Sequence, residues 1–240
     1  MTLNTYVVSL RKTMTGIIGV IIASALTGIA GVSAIGLSPF SINIKINISS
    51  NFYPALPVPR IITHLSEMVS LIMLIMGVVR TVGGFLFLVF TLGYIVPGFR
   101  SAMQHMRTRY ETQLKLLTIG LPIIGGAEIL YGITAVYLSR TLQSFLSSPG
   151  RLISAVWVLG IFTAIALLGR LIGYIGMGWL NLDLYNRFNE GFMLATAILF
   201  FITIPFNIVG FIAWILELVA VHQLMTRQPL LSSVSHSPTG

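Results

Sequence analysis

Cysteine is absent from the 240 residues, and acid is scarce: Asp183 is the single aspartate, and the six acidic residues face fourteen lysines and arginines. Without a thiol, disulfides, thiolate-held zinc, iron–sulfur clusters and cysteine nucleophiles are excluded. A lone aspartate excludes an intramembrane aspartyl dyad. The chain also lacks a Walker A loop, His-Glu-x-x-His and Gly-x-Ser-x-Gly. Phosphate-loop, zinc-hydrolase and serine-hydrolase designs therefore have no residues to work with, and no metal site is expected.

Charge of either sign is sparse. Only 8% of residues are charged, against about 25% in a soluble domain. Hydrophobic residues make up 55% and the mean hydropathy is +0.93. So few ions do not coat a water-facing surface, whereas acyl chains ask for none. The expected fold is an all-α membrane protein, a polytopic helical bundle in the cell membrane. The net charge of +8 comes from the shortage of acids. On such a chain it marks cytoplasmic loops and contact with anionic lipid, and no soluble basic domain is present to hold nucleic acid.

A crossing takes about 20 mainly apolar residues. Five segments meet this: about 14–37, 68–96, 116–138, 152–179 and 191–222. They make residues 1–223 one transmembrane domain, followed by a Ser- and Pro-rich tail, 224–240, that reads as disordered. The first segment follows Arg11 and Lys12 and is too long for a cleaved signal, so it reads as a retained anchor. The last contains Pro205-Phe206-Asn207. One kinked span is the expected form, giving five crossings; a re-entrant pair gives six hydrophobic helices.

The cluster Arg100, Arg107, Arg109 and Lys115 favours a cytoplasmic N-terminus and, with five crossings, an external C-terminus. Residues 41–48, Ser-Ile-Asn-Ile-Lys-Ile-Asn-Ile, alternate at the period of a strand and predict a short extracytoplasmic β-like loop carrying a sequon at Asn47. Leu92-Gly93-Tyr94-Ile95 returns as Ile172-Gly173-Tyr174-Ile175, which suggests a parallel repeat of 66–140 and 151–227. The connector 98–114 is amphipathic and reads as an interfacial segment.

Ionisable groups at membrane depth are the default place to look for function. They are Arg80, Glu128, Arg170 and Glu217. Depth arithmetic pairs Arg80 with Glu128; Arg170 and Glu217 match poorly, and Arg170 has Glu128 as its other candidate partner. A charge clamp or a proton or ion relay is expected there. Candidate helix breaks are Pro122 with Gly125 and Gly126, and Pro205 with Asn207. Gly169-x-x-x-Gly173 reads as a packing face. No cofactor is expected beyond one speculative haem between His64 and His222. These features predict a non-enzymatic subunit or scaffold of a larger membrane complex, bound to other subunits or to itself. The alternative is a small permease, channel or ion-coupled transporter.

Overall fold

Inside a bilayer a helix satisfies its own backbone N–H and C=O groups, so apolar runs of this length become helices. The computed structural model describes residues 3–48, 58–104, 110–146, 149–203 and 207–234, and every element in them is helical. These are α1 (Leu3–Ile48), α2 (Val58–Phe90), a π-helical turn (Thr91–Ile95), α3 (Val96–Met103), α4 (Glu111–Leu146), α5 (Pro149–Phe188), α6 (Gly191–Thr203) and α7 (Asn207–Val234). Five of the helical stretches are long and apolar enough to cross a membrane: Tyr6–Gly28, Glu67–Met103, Glu111–Thr141, Ile153–Phe188 and Val209–Thr226.

The β-like loop is not found. Residues 41–48 continue α1, and no strand occurs among the described residues. An alternating segment forms a strand only where a partner takes up its backbone groups, and none does so among the described residues. The second crossing also outruns its expected end at 96, because α3 follows the π turn directly and buries Phe99, Ala102 and Met103. Residues 105–109, the middle of the expected amphipathic connector, lie outside the described residues, as does Pro205.

Helices α1, α2, α4 and α5 run alternately up and down, and glycine sets their spacing. A Cβ on Gly77 would lie 2.7 Å from the carbonyl oxygen of Gly132, and one on Gly84 would lie 2.8 Å from that of Gly125. Two glycines seven residues apart on α2 thus face two seven apart on α4, in antiparallel order. Gly169 and Gly176 repeat the arrangement on α5, meeting α4 at Ile123–Ile124 and at Leu116–Leu117, with Gly173 against Gly120 between them. Backbone meets backbone on both flanks of α4, the small-residue packing that stands in for the missing hydrophobic force in lipid. This bears on two expected breaks: α4 passes Pro122, Gly125 and Gly126 without interruption. Gly125 serves close approach to Gly84, and Gly126 has open space beside it.

Polar contacts fix which ends lie together. Ser9 and Ser101 hydroxyls bond at 2.8 Å, and Gln113 Nε2 donates to Asp183 Oδ2 at 2.7 Å. The starts of α1 and α4 and the ends of α3 and α5 therefore share one side, the near side. α5 closes there on Asn189, whose φ of 50° is the left-handed cap asparagine tolerates; its N–H donates to Tyr185 O at 2.7 Å.

The expected single kinked span over 191–222 is not what forms. Phe200 meets Trp214 edge-on with ring centroids 5.1 Å apart, and a Cβ on Gly210 would lie 2.8 Å from Thr203 Cγ2. Fourteen residues of continuous helix would hold Phe200 and Trp214 about 21 Å apart, so the chain folds back. α6 rises from the near side for 13 residues, about 20 Å against a hydrocarbon core of about 30 Å. α7 then returns beside it, parallel to α5: Tyr174 neighbours Gly210, and Asn181 bonds Glu217. The end of α7 consequently points to the near side, with the N-terminus. In the two halves of the suggested repeat the first helices, α2 and α5, run the same way, but the second do not: α4 runs on to the far side, whereas α7 runs back to the near side.

This short hairpin closes only the near half of the bundle. Trp214, Phe200, Met177, Leu180, Leu184 and Met193 are fully buried there. The far half of α5 stays bare, with Trp157 at 69% exposure.

Candidate functional site

Arg80 sits three residues past Gly77 and four before Gly84, and Glu128 stands likewise between Gly125 and Gly132. The antiparallel seam therefore brings the two side chains together at the level where the backbones are closest. Arg80 Nη1 is 3.5 Å from Glu128 Oε2. On the other flank of α4, Arg170 Nη2 donates to Glu128 Oε1 at 3.2 Å. One carboxylate is shared by two guanidinium groups, each of the three side chains less than a quarter exposed. Both partners weighed for Glu128 from depth alone are present at once.

The cluster does not fill its space. It lines a cavity of about 190 Å³, together with Thr27, Tyr131 and Thr163, so that all four alternating helices contribute to the wall. Tyr131 lays its ring against the Arg80 guanidinium, 4.2 Å from Cζ to the centroid, covering one face of the ion. Arg80 Nε is buried and finds no acceptor among the described residues. The hydroxyls of Thr27 and Thr163 donate to backbone carbonyls of their own helices. The donors left over belong to the arginines.

Glu217 stands apart from this cluster. It is fully buried on α7 and accepts from Asn181 Nδ2 at 2.7 Å, while the same Nδ2 reaches Met177 O at 3.1 Å. No ion pair reaches it among the described residues. The four intramembrane charges are thus a trio and a single, rather than two neutral pairs. Sequence reasoning missed Asn181 because an asparagine near a helix end is usually interfacial. Only the fold-back of α7 brings it opposite a carboxylate.

Above Glu217, Tyr174, Phe200 and Trp214 form an aromatic cluster, with centroids 5.6 Å and 5.1 Å apart in sequence. It floors the bundle below Arg170, four residues and about one helical turn away on α5. Asn207 begins α7 at that level. The two histidines do not converge: His64 lies near the far-side start of α2, its side chain outside the described residues, whereas His222 is exposed near the near-side end of the membrane segment of α7. A single iron does not reach both. No cluster of three or more metal-binding side chains occurs among the described residues. No protein-family model, curated protein or solved structure matches this chain.

Proposed function

We propose that this chain is a small non-enzymatic permease of the cell membrane, with its solute site in the cavity between Arg80, Glu128 and Arg170. The observation that carries this reading is the cavity itself: about 190 Å³ of space lined by three ions between the helices and open on the flank where Thr163 is exposed. A scaffold gains nothing from holding ions around a void, because a clamp is strongest when closed and dry. The half-length α6–α7 hairpin supports the same reading. Helices that stop within the membrane are tolerated where they line or floor a polar space, and transporters commonly place binding sites beside them.

The near side is assigned to the cytoplasm. Arg11, Lys12, Arg100, Lys115 and Arg187 gather there, and the course of α7 adds Arg227; the far side carries Lys45, Arg60, Arg140 and Arg151.

The glycine seams favour a second reading, a rigid subunit of a membrane complex, and one experiment separates the two. The natural chain is cysteine-free, so a single cysteine reports alone. A Thr163→Cys protein in sealed vesicles should react with a membrane-impermeant charged thiol reagent, while Leu117→Cys, at a fully buried position, should not. An inert Thr163→Cys would mean that water does not reach the cavity and that the permease reading is wrong.

A further inference from the structure

We infer that the cavity takes one oxyanion, a carboxylate or a phosphate ester, gripped between Arg80 and Arg170 with Glu128 as the resident counter-ion. This rests on the reading of the cavity as a solute site, and it names the solute's class.

The first argument is charge. Two guanidinium groups share one carboxylate, leaving one positive charge unmatched at mid-membrane, where an unmatched ion is costly. No other charged residue lines the cavity. A single negative ligand restores balance; a cation would double the excess.

Hydrogen bonding makes the same case from different atoms. Two guanidinium groups offer ten N–H donors, whereas one carboxylate accepts about four bonds. Glu128 accepts from Arg170 through Oε1 at 3.2 Å, while its Oε2 meets Arg80 only at 3.5 Å, beyond a good hydrogen bond, and has no hydrogen-bond partner among the described residues. Arg80 Nε has no acceptor at all. Tyr131 covers the flat face of Arg80 and leaves its donor edge free for a planar or tetrahedral oxyanion, the partner that the guanidinium fork fits best. The space of about 190 Å³ equals roughly six waters, enough for an anionic head and a short stem. The head belongs either to a water-soluble anion or to an anionic lipid.

Melting temperatures of the purified full chain distinguish the sources. One arm uses neutral detergent with inorganic phosphate or acetate, against chloride at equal ionic strength. The other uses nanodiscs of phosphatidylglycerol against phosphatidylcholine. Stabilisation by the soluble ions assigns a soluble anion, and stabilisation by phosphatidylglycerol alone assigns a lipid headgroup. No shift in either arm overturns the proposal.

The variants give the sharper reading. Glu128→Gln leaves both arginines unneutralised and should bind the effective anion about tenfold tighter or more. Arg80→Gln should weaken it at least tenfold. If Arg80→Gln does not fold, Arg80→Lys, which keeps the charge and loses the fork, should bind several-fold more weakly. Weaker anion binding by folded Glu128→Gln would overturn the proposal, because Glu128 would then be a ligand-holding group. Failure of the permease reading looks different: Thr163→Cys stays unlabelled while anions still bind. Labelled Thr163→Cys with no anion response leaves the permease and removes the oxyanion.

Discussion

Adding one methyl group at Gly84 tests whether backbone contact sets the geometry of the charge cluster. The new Cβ would stand 2.8 Å from Gly125 O, with Ile129 N and Cγ1 both at 3.0 Å. An ordinary carbon–oxygen contact is about 3.3 Å or more. The Ile129 side chain can rotate away, but the Gly125 carbonyl belongs to a helix held on its other flank by α5. Helices α2 and α4 must therefore part by about 0.5 Å, an overpacking that costs about 1–3 kcal/mol. The same movement stretches the Arg80–Glu128 contact from 3.5 Å to about 4 Å, which at an effective dielectric of about 20 loses only about 0.6 kcal/mol. Sterics dominate. Gly84→Ala should lower the melting temperature in mild detergent by about 2–12 °C, at about 2–4 °C per kcal/mol. Gly126→Ala is the control: its Cβ meets nothing within 4 Å, and the gain in helix propensity makes it neutral or stabilising. Equal melting temperatures for the two variants would refute the idea that the seam fixes the spacing.

Asn181→Leu leaves the buried Glu217 carboxyl without its donor and should cost about 1–3 kcal/mol. Asn181→Leu with Glu217→Leu should cost less than Asn181→Leu alone, and a double-mutant cycle in detergent unfolding checks the sign. In brominated-lipid vesicles Trp157 and Trp179 should be quenched strongly and Trp214 weakly, as their exposures of 69%, 45% and 0% require; single-tryptophan variants measure this directly. Because α7 parallels α5, tags at the two termini should be accessible from the same side of sealed vesicles. Accessibility from opposite sides would remove the hairpin.

Hydropathy made the membrane-crossing segments legible, because the energy of placing an ion or apolar group in lipid is local and additive along the chain. The meeting of Arg80 with Glu128 was legible for a related reason: helical rise turns sequence position into depth. The hairpin at 191–222 was not. A kinked rod and a fold-back have the same length and composition, and only contacts such as Phe200 with Trp214 separate them. That one ambiguity carried others with it, including the side on which α7 ends and the partner of Glu217. The glycines facing across α2 and α4 recur every seven residues, so a search for the four-residue motif found only Gly169 and Gly173. Strand-like alternation at 41–48 misled because period alone does not supply a neighbouring strand. The π turn at Thr91–Ile95 has no signal in composition that separates it from helix on either side.

Where two main chains touch, sliding is quantised. α4 is keyed on both flanks by glycines a whole heptad apart, so its next comfortable seat against α2 is about 10 Å away. Small displacements of α2, α4 and α5 against one another are thereby suppressed, and the three behave as a stator. If the molecule cycles between shapes, the moving part is the one without such keys: the stubby α6 and its return limb, hinged at Asn189 beneath an arginine cradle that does not move.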